Sequence, residues 1–322
     1  MTDRVRAYLA GATALPAIVA PMFLVSSPAL VLATCAEGLI GSFPAHATRS
    51  REDFEAWLVE IEAGLKREAE TAAGKVAPYA VNLVTHETNA RMAGDLELCI
   101  RYRVPIVLTS KSAPRDVVAR VHDYGGVVLH DIATRRHAEK ALASGVDGLI
   151  LVSQGAGGHT GSISPFGLMN EIRAIYDGPI VLAGGIMTGR DILAAETMGA
   201  DFAYLGTRFI ATPESIASQA YKAALIETDA SGLFYSAAVD GAPVNWLAKS
   251  LIAAGADLDV LRVTPPGKVL SSAEVGKRWV DVWSAGHGVG LVRGIEPARE
   301  ICRQLKAEYA AARQAMAARL AG

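Results

Sequence analysis

Short apolar runs recur along the first two-thirds of the chain, each followed by a stretch in which apolar residues fall at helical spacing. The runs are Ala17–Ala20, Gly38–Gly41, Tyr79–Val84, Ile106–Leu108, Val127–Leu129, Leu149–Val152, Ile180–Leu182 and Phe202–Leu205. Unbroken apolar character, rather than alternation, marks strands covered on both faces, as in parallel sheets. Arg51–Ala73, Arg115–Tyr124, Arg135–Ala143 and Arg190–Met198 read as the intervening helices. Ser144-Gly145-Val146-Asp147-Gly148 and Met198-Gly199-Ala200-Asp201 look alike, each a glycine-terminated helix feeding a strand. Eight such units predict an α/β fold, a (β/α)8 TIM barrel. An open dinucleotide-binding sheet fits less well, because no Gly-x-Gly-x-x-Gly follows the first run.

The rhythm stops after Thr212-Pro213. Residues 213–280 predict a small, mostly helical subdomain inserted after strand eight, lying over the barrel mouth where lids are common. It carries the loop Asp240-Gly241-Ala242-Pro243-Val244-Asn245-Trp246 and the turn Thr264-Pro265-Pro266-Gly267. Residues 281–322 follow, with Glu296–Leu320 as a helix packing back on the barrel formed by residues 1–212. Leu15–Leu32 is apolar, but Pro16, Pro21 and Pro28 divide it into strand, loop and helix rather than an export signal.

Composition narrows the class. Of 322 residues, 51% are hydrophobic and 20% charged, which suits a folded enzyme-like domain. A net charge of −2 gives no general attraction to nucleic acid or to an anionic membrane. No run is long enough to span a bilayer, and the expected location is the cytoplasm. The three cysteines, Cys35, Cys99 and Cys302, sit in apolar helical stretches without metal-ligand spacing, so they read as buried thiols. The oligomeric state stays open, a homodimer included.

Chemistry in a parallel barrel gathers at the C-terminal ends of its strands. Asn82 ends strand three, Thr109-Ser110-Lys111 follows strand four, and His130-Asp131 ends strand five. Gly157-Gly158-His159-Thr160-Gly161 follows strand six, Ala183-Gly184-Gly185 strand seven and Gly206-Thr207 strand eight. Glycines after strands seven and eight occupy the usual phosphate position of such barrels, where backbone N–H groups and the Thr207 hydroxyl can hold a dianion. His159 is the natural candidate for chemistry on that surface. Lys111 reads as a solvated loop lysine, and Tyr235, Asn245 and Trp246 as subdomain packing. Arg208 and Phe209 read as helix-fixing residues, and Gly189-Arg190-Asp191 as a helix start.

These motifs, with Ala20-Pro21-Met22, Val81-Asn82-Leu83 and Trp283-Ser284-Ala285-Gly286, resemble the nitronate monooxygenases, formerly called 2-nitropropane dioxygenases. The resemblance covers most of the barrel and is thinner across residues 213–280. It implies a non-covalently bound FMN, with its phosphate on Gly184, Gly185, Gly206 and Thr207. The isoalloxazine would lie against Pro21, Met22 and Gly158 after Ala20 and Ala183 end their strands, and Asn82 would bond the flavin. His159 matches the catalytic histidine, and the implied reaction converts an alkyl nitronate and O2 to a carbonyl compound and nitrite.

Two departures stand out. Gln154 lies five residues before His159, where one branch has glutamine seven before. Asp131 follows His130, where a second branch, resembling NADH:quinone reductases, has lysine. The same glycine-histidine turn also occurs in flavin reductases of enoyl thioesters, so an NAD(P)H-dependent reductase is the alternative. A non-catalytic flavin-binding sensor is a further one. Inosine-monophosphate dehydrogenase-like chemistry lacks its cysteine after strand six. A metal site at His130, Asp131, His46, His86 and His287 lacks the paired spacing of such barrels.

Overall fold

Ile40 closes the barrel. The computed structural model describes residues 2–71, 74–265 and 267–321, so Ala72, Ala73 and Pro266 lie outside the described residues. Its strands are β1 (Ala17–Val19), β2 (Ser42–Pro44), β3 (Ala80–Val84), β4 (Ile106–Ser110), β5 (Val127–Ile132), β6 (Gly148–Val152), β7 (Gly158–His159), β8 (Ile180–Ala183), β9 (Phe202–Leu205), β10 (Leu233–Ser236) and β11 (Val244–Leu247). Eight form one parallel sheet in the order β1-β9-β8-β6-β5-β4-β3-β2. A parallel bridge between Ile18 and Ile40 joins its two edges, with Val19 N donating to Ile40 O at 2.8 Å. Helices link the strands, and the fold is the expected (β/α)8 barrel.

The second strand lies later than its apolar run. Of the run Gly38–Gly41 expected to form it, Ile40 pairs with Ile18 of β1, while the residues paired with β3 are Ser42–Pro44, in register with Ala80–Asn82. Gly41 is packed so closely on the preceding helix that a Cβ there would strike Thr34 Oγ1 and the Val31 carbonyl. Ser42 and Pro44 disguise the strand, although all of β2 is buried.

Alternate side chains of each strand fill the barrel or face the helices. Ile18, Ile40, Ile106, Leu108, Val127, Leu129, Ile150, Val181 and Phe202 form the interior cluster. Val5 and Leu9 of the helix Thr2–Ala12 join that cluster. The outer layer includes Val107, Val128, Leu149 and Leu182 beneath the surrounding helices. Ser27 caps the helix Pro28–Ala36, and Thr188 with Asp191 forms a capping box on Gly189–Thr197. The helix Ala298–Ala321 lies against that capped helix, with Gly189 N donating to Glu308 at 2.8 Å. Cys35, Cys99 and Cys302 are all buried, and burial raises each thiol's pKa.

Residues 213–280 are less helical than expected. Short helices at Gln219–Ile226, Ala248–Ala253, Leu258–Val263 and Ser272–Val275 surround an antiparallel sheet, β10-β11-β7. Its third strand is the glycine-histidine segment itself, with Val244 paired to His159 and Asn245 to Gly158. The Gly/Pro-rich connection between β10 and β11 hides these strands in the sequence. Trp246 is fully buried at their centre.

Candidate active site

A cavity of about 970 Å³ opens where the barrel strands end. Ala20, Pro21, Met22, Asn82, Gly158, His159, Ala183, Gly184, Gly185, Gly206 and Thr207 all line it. Residues from across the chain thus share one surface because each stands at the same end of a neighbouring strand.

At one part of this wall the strands β8 and β9 end in glycine turns. The backbone N–H groups of Gly184, Gly185, Gly206 and Thr207 have no backbone acceptor among the described residues. Gly184 and Gly185 have φ of +140° and +72°, which only glycine adopts freely. A Cβ on Gly184 would strike Ser153 Oγ, whereas one on Gly185 or Gly158 would meet nothing within 4 Å. Thr207 Oγ1 accepts the Gly286 N–H at 2.8 Å, tying the Trp283–Gly286 segment to the turn and leaving the hydroxyl hydrogen free to donate.

Pairing of β7 with β11 brings the β10–β11 connection over the glycine-histidine turn. Asp240 there sits with Oδ2 2.7 Å from His159 Nε2, and Arg278 lies 3.4 Å from its other oxygen. Burial alone would raise the Asp240 pKa, but the His159 hydrogen bond and charge, with Arg278, hold it below the usual carboxylate value. Lys111 Nζ reaches to 3.4 Å from His159 Nε2, and the Lys111 backbone has a φ of +79°. A lysine in this region is strained, as residues near functional sites often are. Trp279 packs at 5.6 Å from the His159 ring and 4.9 Å from Trp246.

The floor is set by the tops of β3 and β5. Asn82 donates to Leu108 O at 3.3 Å, which fixes its amide and leaves its carbonyl oxygen uncommitted. His130 turns away from the barrel axis, its Nδ1 lying 2.8 Å from Thr109 Oγ1, and burial lowers its pKa to about 4. Asp131 faces the cavity, where burial raises its carboxyl to about 7 against the opposing charge of Lys111. His46 also lines the wall, stacked on Phe23 at 5.2 Å; burial lowers it to about 4, helped by Arg91 and His159. Among the described residues no three His, Cys, Asp or Glu side chains are grouped to hold a metal ion.

With this geometry in place, the family comparison is decisive: the model of nitronate monooxygenase matches residues 9–308. The chain belongs to the nitronate monooxygenase family. Members of the family are flavin-dependent oxidoreductases. It is 27% identical to a nitronate monooxygenase of Paraburkholderia phytofirmans over 91% of this chain and 92% of that one. A (3aS,4S,5R,7aS)-5-hydroxy-7a-methyl-1-oxo-octahydro-1H-indene-4-carboxyl-CoA dehydrogenase of Mycobacterium tuberculosis is 30% identical over 74% of this chain. That match spans only 64% of the mycobacterial protein. Among solved structures, nitroalkane oxidase from Streptomyces ansochromogenes superposes with a TM-score of 0.78 at 26% identity, covering 96% of this chain and 99% of that one. FabK from Thermotoga maritima, at 22% identity and a TM-score of 0.77 over 98% of each chain, shares the fold.

Within this family framework, several side chains stand differently from their sequence-based expectation. Lys111 is an exposed loop lysine as expected, and its ammonium also comes within 3.4 Å of His159 Nε2. Asp240 was not singled out at all; its only signal was the Asp-Gly-Ala-Pro turn, which does not reveal the partner of that turn. Tyr235 is exposed rather than packed, because β10 is an edge strand and alternation turns it to solvent. Asn245 is buried and donates to Ala156 O at 2.9 Å, bracing the glycine-histidine loop. Gln154 does not line the cavity, whereas Gly155 and Ala156 do. Arg208 pairs with Glu296 and Gln304, a structural role as expected.

Proposed function

We propose that the chain binds FMN and oxidises alkyl nitronates with O2 to a carbonyl compound and nitrite. The observation that carries this reading is the His159–Asp240 pair beside Lys111, on the same cavity as a cluster of uncommitted peptide N–H groups. Those N–H groups, at Gly184, Gly185, Gly206 and Thr207, with the Thr207 hydroxyl, suit the FMN phosphate. The open space beside Gly158 and Gly185 suits a flat ring against Pro21 and Met22, with the Asn82 carbonyl oxygen as acceptor. Ala20 and Ala183 shape the walls between these parts.

When bound, FMN would accept electrons from the substrate and pass them to O2. The protein's share is proton control and charge. An ionised Asp240 accepts the hydrogen of His159 Nε2, which leaves the Nδ1 lone pair as the base. That base suits a substrate arriving as a neutral nitroalkane, whose α-proton must first be removed. The ammonium of Lys111 draws the resulting nitronate toward the same wall. Trp279, Trp283 and Pro243, contributed after strand eight, border the cavity and place substrate selection in that part of the chain.

The purified protein should show a flavin absorption spectrum and release FMN on denaturation. Ethyl or propyl nitronate should then give O2 uptake with nitrite. A colourless protein that takes up no FMN contradicts the reading.

A second reading, oxidation or reduction of a CoA thioester, is favoured by the 30% identity to a carboxyl-CoA dehydrogenase. Flavin reduction by acyl-CoA esters, with no response to nitronates, would select it.

A further inference from the structure

Among the described residues, Asp131 Oδ1 is the buried side-chain polar atom left without a hydrogen-bond partner. The alternation of β5 explains where it points. Val127 and Leu129 belong to the barrel interior while Val128 and Ile132 pack outward, so the next inward position is Asp131. It therefore enters the cavity also lined by Asn82, Gly158 and His159. An unpaired carboxylate in such a place is costly, whereas a neutral carboxylic acid offers an O–H donor that a ligand can satisfy.

We propose that Asp131 meets the bound flavin as a neutral acid and donates its O–H to an acceptor edge of the isoalloxazine, so that FMN binding takes up a proton. This rests on the FMN reading given above.

The surroundings set the pH at which this becomes visible. Lys111, after β4, favours the ionised form, but burial outweighs it and holds the carboxyl at about 7 before any flavin is bound. Tyr204 on β9 faces the same carboxyl, and burial keeps its phenol neutral. Ser110 on β4 and Val152 on β6 bring no charge, while His137 and Lys140 of the helix Arg135–Leu142 line the same cavity. Above that pH the carboxylate must regain a proton before the flavin can dock. Below it the proton is already in place.

FMN affinity is measured by fluorescence quenching on flavin-free protein between roughly pH 7 and pH 9, above the second phosphate ionisation. Wild-type affinity is expected to fall by up to about tenfold per pH unit. Asp131→Asn, which keeps an N–H donor and cannot ionise, is expected to bind with a flat profile near the wild-type value at the low end. Asp131→Leu should be equally flat but weaker. FMN bound by the wild type with a flat profile, or an unchanged fall in the Asn variant, overturns the inference alone. No FMN binding at any pH overturns the FMN reading and this inference with it.

Discussion

His159 Nε2 and Asp240 Oδ2 stand 2.7 Å apart although 81 residues separate them in sequence. The contact exists because β11 pairs with β7, and it orients the His159 imidazole within the cavity wall. Replacing His159 with Ala is expected to lower kcat on nitroalkanes by about 10²–10⁴-fold, the usual worth of a positioned base. FMN content should be retained. A preformed nitronate, which needs no deprotonation, should lose less, and steady-state kinetics on the two substrate forms checks this.

Asp240→Asn tests positioning rather than binding. The amide can present an N–H in place of an acceptor and so favour the wrong imidazole tautomer. We expect a fall in kcat of about tenfold or more with FMN content unchanged. A comparable loss of FMN would assign Asp240 a structural role instead.

The same carboxyl gives an acid-side prediction. Its pKa is lowered in the folded protein, so the contact contributes stability fully above the ordinary carboxylate value of 3.8 and loses it as pH falls through the lowered one. The difference in Tm between wild type and Asp240→Asn should therefore hold steady at neutral pH and shrink only in acid. Thermal unfolding across pH checks the window.

Asp131 has the opposite sign. Its folded pKa is raised to about 7 from 3.8, so the neutral form is stabilising below 3.8 and that contribution is lost as pH rises through about 7. Flavin-free Asp131→Asn is expected to melt above the wild type at pH 8, by about 1 kcal/mol or more, with the gap closing toward pH 4. Paired melting curves measure it.

The glycine turns separate folding from cofactor binding. Gly185→Ala adds a Cβ into open space at a positive φ, so it should cost the flavin-free fold only about 1–2 kcal/mol while crowding the cavity. FMN affinity should drop steeply. Gly184→Ala drives a Cβ into Ser153 Oγ and the Gln154 carbonyl, and should lower both stability and FMN affinity. Melting temperature and flavin occupancy, measured together, distinguish the two.

The barrel was legible because parallel strands covered on both faces read as unbroken apolar runs, and Leu149–Val152 or Phe202–Leu205 need no context to be recognised. Ser42–Pro44 escaped because its serine and proline interrupt the apolar pattern, although all three residues are buried. The glycines after β8 were equally plain, since the positive φ of Gly184 and Gly185 demands the residue type. Asp240 and Lys111 were not, because their roles arise from tertiary pairing. One reaches His159 through β11–β7, the other through a strained turn at the end of β4. Asp131 was conspicuous as a residue, yet its inward direction needed the register of β5.

Anaerobic mixing of the FMN-loaded protein with ethyl nitronate, and separately with NADH and NADPH, separates nitronate oxidation from nicotinamide-dependent reduction. The flavin spectrum is expected to change on mixing with the nitronate and to remain oxidised with either nicotinamide, with nitrite appearing once O2 is admitted. Rapid bleaching by NADH or NADPH, with no response to the nitronate, would contradict the nitronate reading.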